Sequence, residues 1–350
     1  MKILYIISSL NVGGAEVLLQ RSVNFLVTHH KIKVVFLKGD GELRNLINES
    51  VDVEKVGWSL GGVRQTHQII KDFRPDIIHT HLLPADTYLL ILSSFIKCKV
   101  FSTIHNIGKG KPVRDWVAGR IYKLLECRFK SRLKFLCISQ AVKKYLIASS
   151  GISDSSAEVV YNGVPLLEYS DRIRNPGKLR LLWVGRLVTQ KDPIFVLDVC
   201  LELRKKKLDF SLTIVGDGPL RIVMEETAKQ RGLSEYISFV GEQQNPNRFY
   251  LEADLLLVTS KVEGFGLVAI EAMALGTCVI TRPVGGLNEI IEHGVSGFLE
   301  DTPRKFSSVI EAISGRQVDL AKMSVNSRRK VERDFDLQKS LNRLCEFYEA

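Results

Sequence analysis

The chain has 350 residues, 45% of them hydrophobic, and 49 Lys/Arg against 39 Asp/Glu give a formal net charge of +10. That length is long for one core and natural for two domains, and the apolar content is enough to bury both. Six scattered cysteines without paired spacing argue against a disulfide scaffold and read as reduced core residues of a cytosolic protein. No apolar run reaches a membrane span; Tyr88 to Ile96 is roughly half of one.

Strands alternate with helical patterns from end to end, which predicts parallel sheets. Ile3-Leu-Tyr-Ile-Ile-Ser8 reads as a strand, because it lacks a cleavage site and runs straight into Asn11-Val-Gly13-Gly14-Ala-Glu16 and a helical pattern. Asp76-Ile-Ile-His-Thr-His81 and Val100-Phe-Ser-Thr-Ile104 are further strands, the second leading into His105. His79 and His81 share one strand face. That spacing suggests a metal, but no third ligand has recognisable spacing, so none is expected.

Residues 97–134 hold eleven Lys/Arg against Asp115 and Glu126. Within this stretch Val113, Trp116, Val117, Ile121, Leu124, Leu125 and Phe129 recur at helical spacing. A basic amphipathic helix suits an anionic membrane surface, here through residues 113–134. The alternative is a core-facing helix with a solvated basic back. Nucleic acid is not expected, because no nucleic-acid motif accompanies the charge. Asn162-Gly163, inside Tyr161-Asn-Gly-Val-Pro165, is a turn that closes the first domain. The expected organisation is residues 1–170, a polar linker Asp171-Arg-Ile-Arg-Asn-Pro-Gly-Lys178, a second domain 179–335, and a final helix 336–350 returning to the first domain.

In the second half, Leu181-Leu-Trp-Val184 is a strand with a tight exit at Gly185, followed by Arg186 and Lys191. Two cations at a strand's carboxyl end suit a diphosphate; taken singly, each also reads as an ordinary surface charge. Asp192-Pro193 supplies an N-cap and a first helical residue. Leu212-Thr-Ile-Val-Gly216-Asp-Gly218-Pro219 is a strand ending in a glycine turn, with Pro219 starting a helix, and Ile237-Ser-Phe-Val-Gly241 is another short strand. Asp254-Leu-Leu-Leu-Val-Thr-Ser260 reads as a buried strand, Glu263-Gly-Phe265-Gly266 as its exit loop, and Leu267 to Leu275 as a helix. Glu263 then sits on the loop and Glu271 about two turns into the helix, around a helix N-terminus that attracts an anion. Acids beside a phosphate site are repelled by phosphate and fit better as acceptors for sugar hydroxyls. Two glutamates at this spacing also read as a solvated helix face.

Four of these patterns, in order, resemble the GT-B-fold retaining nucleotide-sugar glycosyltransferases of family 4. They are the segment Gly185-Arg186 to Lys191, the Gly216-Asp-Gly218 turn, the strand ending at Gly241, and the pair Glu263 and Glu271. Gly13-Gly14, His105, Ser139 and Tyr161–Pro165 also match family landmarks. The family often has Gly after the lysine, where this chain has Asp192. The resemblance implies two Rossmann-like α/β domains facing each other across a deep cleft, with the donor held mainly by the second. It implies a metal-independent, hexosyltransferase-type enzyme with no cofactor. The donor substrate is a nucleotide sugar, a UDP-sugar ahead of a GDP-sugar, and the acceptor a hydroxyl of a glycan or lipid-linked sugar. Arg186 and Lys191 would hold the leaving diphosphate and Glu271 the ribose. Glu263 and the backbone of Phe265, Gly266 and Leu267 would hold the sugar, with His105 opposite. Gly13, Gly14, Gly216 and Gly241 would line the donor. For His105 the alternative is a histidine satisfied by its neighbours. No residue stands out as a nucleophile, so front-face attack assisted by the leaving phosphate is expected. A nucleotide-sugar epimerase and a non-catalytic nucleotide-sugar-binding protein remain as alternatives. The implied setting is cell-surface polysaccharide or glycolipid synthesis in the cytoplasm, peripheral at the inner face of the membrane.

Overall fold

The computed structural model describes residues 1–108, 112–168 and 178–350. The chain divides into two compact units, one of residues Met1–Asn162 and Ser340–Ala350, the other of Gly163–Lys339. The division falls after Asn162, eight residues before the expected border; of the expected linker, residues 171–177 lie outside the described residues. The closing helix starts in the second unit and lies mainly in the first.

The first unit is built on seven parallel strands: β1 (Lys2–Ser9), β2 (Lys31–Lys38), β3 (Asp52–Lys55), β4 (Ile77–His81), β5 (Lys99–Ile104), β6 (Leu133–Cys137) and β7 (Ala157–Val159). Their order is β3-β2-β1-β4-β5-β6-β7. Five helices connect them: α1 (Gly14–Leu26), α2 (Leu60–Phe73), α3 (Leu83–Ile91), α4 (Pro112–Phe129) and α5 (Gln140–Ser150). β1 and β4 are buried on both faces, β1 with a nearly continuous apolar run and β4 with His79, Thr80 and His81 buried among its neighbours. Ser139 starts α5, its Oγ accepting from Val142 N at 3.1 Å, and Gly151 ends it in the left-handed conformation.

The second unit has six strands: β8 (Leu179–Val184), β9 (Phe210–Val215), β10 (Ile237–Gly241), β11 (Leu255–Val258), β12 (Cys278–Thr281) and β13 (Gly297–Leu299), in the order β10-β9-β8-β11-β12-β13. Its helices are α6 (Pro193–Lys205), α7 (Arg221–Gln230), α8 (Asn247–Glu252), α9 (Leu267–Ala274), α10 (Leu287–Ile290), α11 (Pro303–Ser314) and α12 (Leu320–Asp334); α13 (Leu337–Glu349) closes the chain. Trp183, Leu181, Val196, Phe210, Ile214, Leu257 and Ile280 are buried together in its core. Each such side chain contributes roughly 1.5–3 kcal/mol on leaving water. The chain order reverses between β8 and β11, which pair through Leu181–Leu255 and Leu182–Leu256. In open parallel sheets that switch point leaves a crevice at the strands' carboxyl ends.

Three sequence expectations are corrected. α7 begins at Arg221, not Pro219, because Gly218 and Pro219 are used in the turn that bonds Leu220 N to Leu187 O. α4 does not bury its apolar residues as one face: Leu125 and Phe129 are buried, whereas Val113, Trp116, Val117 and Leu124 are exposed at 77, 61, 40 and 54%. Lys109 and Lys111 of the basic stretch lie outside the described residues. Of the six cysteines, Cys137, Cys200 and Cys278 are buried, Cys98 and Cys345 half-buried, and Cys127 is exposed.

Candidate active site

The second unit brings four of the expected residues to the strands that flank its switch point. Arg186 and Lys191 follow β8; Glu263 follows β11 and Glu271 lies on α9. The loops after β8, β9 and β10 are tied side by side, with Gly185 N bonding Val215 O and Gly216 N bonding Gly241 O. Gly216 has φ +133, and a Cβ there would stand 1.9 Å from the Gly185 carbonyl. Its missing side chain is thus explained by the neighbouring backbone, without a ligand.

Trp183 and Thr259 fix where Lys191 starts. The buried Trp183 indole donates to Thr259 Oγ1 at 2.9 Å, and the Thr259 hydroxyl in turn faces the carbonyls of Lys191 and Asp192 at 2.9 and 3.0 Å. Lys261 N bonds Gln190 O at 2.9 Å and Gln190 Nε2 bonds Val262 O at 3.2 Å, so the two loops are clipped together. Lys191 Nζ then meets Glu263 Oε2 at 2.5 Å, and Ser260 Oγ donates to the same oxygen at 3.0 Å. Asp192 holds the N-cap position before Pro193, as expected, but its side chain caps no helix N–H: the carboxylate faces Arg282 at 3.1 Å and Lys261 at 3.3 Å instead. Arg186 is exposed.

The Glu263–Gly266 loop is packed against the turn after β12. Gly286 N donates to Glu263 O, and a Cβ at Gly286 would stand 2.7 Å from Gly264 O. The Phe265 ring is buried, edge-on to Phe335 at 5.5 Å, which turns its side chain into the unit's interior. Gly266, at φ +115, turns the chain into α9, whose first N–H groups include that of Leu267. Glu271 is the fifth residue of this eight-residue helix, in its second turn. Its Oε2 accepts from the Tyr250 hydroxyl at 3.1 Å. Thr259, Ser260, Tyr250, Arg282 and Gly286 were not singled out from the sequence. The Gly285-Gly286 pair after a strand was the one available signal among them.

In the first unit, Gly13 is the extended N-cap of α1, with Gly14 its first residue. His105 follows β5, and its Nε2 lies 2.9 Å from His81 Nδ1. His79 is held on both nitrogens, by the Tyr348 hydroxyl at 2.5 Å and Thr103 Oγ1 at 2.7 Å, and Tyr348 also meets the Tyr5 hydroxyl at 2.8 Å. Burial pushes His79 and His105 down to about 3, and burial with its histidine neighbours takes His81 well below the usual range. The three rings are neutral at pH 7, so His105 can orient a hydroxyl but cannot supply a positive charge. Nearby, buried Asp86 accepts from Thr80 and Ser102; burial outweighs these bonds and raises it to about 7. Among the described residues no group of three His, Cys, Asp or Glu could hold a metal ion, and no helix is long and apolar enough to cross a membrane.

The sequence model of the Glycosyltransferase Family 4 matches residues 12–167, and that of the Glycosyl transferases group 1 matches residues 169–330. The chain is 26% identical to the glycogen synthase of Mycobacterium tuberculosis, over 80% of this chain and 70% of that protein. It is 23% identical to the Staphylococcus aureus capsular polysaccharide biosynthesis glycosyltransferase CapH, over 99% and 98% of the two chains. Among solved structures, Anabaena HepE in complex with UDP-glucose superposes with a TM-score of 0.86 at 22% identity, covering 100% of this chain and 99% of that one. The chain therefore belongs to the family 4, group 1 glycosyltransferases and has their GT-B fold of two Rossmann-like domains.

Proposed function

We propose that this glycosyltransferase moves a sugar from a nucleotide sugar to a hydroxyl of a glycan or lipid-linked acceptor, with retention at the anomeric carbon and without a divalent metal. The observation that carries the reading is that Arg186 and Lys191 follow one strand at the second unit's switch point, Glu263 follows the other with Glu271 on the next helix, and Lys191 meets Glu263. Arg186 and Lys191 receive the diphosphate and stabilise its growing charge as the glycosidic bond breaks. Glu271, held by Tyr250, accepts from the ribose hydroxyls. Glu263 and the backbone N–H groups around Gly266 and Leu267 hold the sugar, and Gly216 and Gly241 lie beside the nucleotide. Glu263 is engaged by Lys191 and Ser260, which favours a binding role over that of a nucleophile and favours attack from the leaving-group face. In the first unit, neutral His105 orients a sugar hydroxyl, and the Gly13-Gly14 loop approaches the donor phosphate. The UDP-glucose bound by HepE and the capsular role of CapH favour a UDP-sugar donor and cell-surface polysaccharide or glycolipid synthesis.

A peripheral site at the cytoplasmic membrane face is part of the proposal. The exposed residues of α4 fall on one stripe: Val113, Trp116, Val117, Arg120, Leu124 and Cys127, bordered by Arg114 and Arg128. Arg120 lies over the Trp116 ring at 5.2 Å. Outward apolar and aromatic residues set among arginines suit the boundary between headgroups and acyl chains.

The test is a screen of nucleotide sugars that reads released nucleoside diphosphate with and without acceptor, repeated with a chelator. Release that requires acceptor, survives chelation and gives a product of unchanged anomeric configuration is expected. Release without acceptor argues for a different nucleotide-sugar enzyme, inversion removes the front-face mechanism, and loss on chelation removes metal independence.

A further inference from the structure

The two residues assigned to different parts of the donor are paired with each other. Lys191, expected on the diphosphate, has its ammonium 2.5 Å from the carboxylate of Glu263, expected on the sugar. The pair is well sheltered, with side-chain exposures of 23% and 12%. It is fixed from several sides: Thr259 holds the Lys191 carbonyl, Gln190 clips the two loops, and Ser260 holds the same Glu263 oxygen. The other cations near it are differently placed. Arg282 and Lys261 face Asp192, whereas Arg186 is exposed and makes no ion pair among the described residues.

We infer that Glu263 is a stand-in for the donor phosphate: it holds Lys191 in place until the diphosphate arrives, then gives it up and becomes available to the sugar hydroxyls. The inference rests on the donor-site reading above. A diphosphate brings at least two negative charges to a site where Arg186 has no ion pair among the described residues and Lys191 has one, so its oxygens compete with Glu263 for Lys191. Losing its cation leaves Glu263 as a sheltered carboxylate with one remaining donor, Ser260, and it regains hydrogen bonds from sugar hydroxyls. Diphosphate and sugar recognition are thereby coupled through one carboxylate. Ser260 is the positioning residue of the exchange, since it keeps the carboxylate oriented when Lys191 leaves.

If Glu263 served the sugar alone, removing it would leave affinity for the free diphosphate unchanged. If it competes for Lys191, removing it strengthens that affinity. The experiment is calorimetric titration of UDP and GDP against wild type, Glu263→Gln, Lys191→Met, the double variant and Arg186→Ala, with thermal melting of each to confirm folding. Glu263→Asp serves as a second variant, because it keeps the charge but falls a methylene short of Lys191. Glu263→Gln is expected to bind the preferred diphosphate roughly tenfold tighter, the scale of one freed charge contact. Glu263→Asp is expected to shift in the same direction, and with Lys191→Met as the background the gain is expected to vanish. Equal or weaker binding by Glu263→Gln, with Lys191→Met still weakened, overturns the exchange while leaving the donor site standing. A gain that persists without Lys191 overturns it as well. Failure of wild type to bind either diphosphate, or binding that ignores both Arg186 and Lys191, overturns the donor-site reading and the exchange with it.

Discussion

Acidification is expected to destabilise the first unit from about pH 6.5 downward, before ordinary carboxylates begin to titrate. His79, His81 and His105 are neutral in the folded chain, with pKa values pushed down to about 3 for His79 and His105 and well below normal for His81. In the unfolded chain each titrates near about 6.5. Groups depressed on folding contribute stability that is complete above about pH 6.5 and is lost as pH falls toward 3, because the unfolded state takes up protons the folded state refuses. Asp86 acts in the opposite sense. Its folded value is about 7, so between about pH 4 and 7 the folded state holds a proton that the unfolded state lacks. The net uptake on unfolding is then about two protons through pH 5, or about 3 kcal/mol lost per pH unit. Against a domain stability of about 5–15 kcal/mol, that slope removes a third or more of the unit's stability by about two pH units below 6.5, and brings a unit at the lower end of the range to its midpoint there. The assay is urea denaturation followed by circular dichroism at half-unit steps from pH 8 to 4.5. Asp86→Asn removes the opposing proton and is expected to steepen the slope to about 4 kcal/mol per unit. A midpoint that stays level from pH 7.5 to 5, or a slope that flattens in Asp86→Asn, would falsify the assignment of neutral histidines.

Arg186→Ala is expected to lower turnover by roughly two to three orders of magnitude, the scale for one preorganised charge contact; a near-normal steady-state rate removes it from the leaving group. Glu271→Ala is expected to weaken nucleoside diphosphate binding by roughly 10- to 100-fold through lost ribose hydrogen bonds, and Tyr250→Phe by less. Unchanged calorimetric affinity in Glu271→Ala sends the ribose elsewhere. On α4, Lys123 is paired with Glu126 and Arg128 is bonded to Ser93 and Ser94, so Arg114 and Arg120, with Lys130 just past the helix, are the better lipid contacts. Neutralising these three is expected to weaken co-sedimentation with anionic vesicles by about two orders of magnitude at low salt, at about 1 kcal/mol each. Wild type remaining in the supernatant ends the membrane proposal.

The strands could be read from the sequence because buried parallel strands are nearly continuous apolar runs. Leu255–Val258 and Ile3–Ile7 show this plainly. The glycine exits and the acids and cations just past them followed from position along the chain, since strand ends in such sheets carry the site. The partners of those residues were hidden. Lys191 and Glu263 are 72 residues apart, and Asp192 and Arg282 are 90 apart. No local pattern records a contact made when two loops are clipped across a switch point. Asp192 shows the risk of a local rule: Asp before Pro fits a helix cap, yet two cations from other loops claim the carboxylate. The sidedness of α4 was likewise beyond periodicity. Helical spacing shows that apolar residues recur, but not which arc the rest of the unit covers.

The measurement with the greatest reach is the position of a nucleoside diphosphate in crystals of the complex. The diphosphate oxygens are predicted within hydrogen-bond distance of the Arg186 guanidinium and Lys191 Nζ, with the ribose hydroxyls on Glu271 and Lys191 drawn away from Glu263. Density for the nucleotide at any other strand end, or a diphosphate out of reach of both Arg186 and Lys191, would show that the carboxyl ends of β8 and β11 are not the donor site.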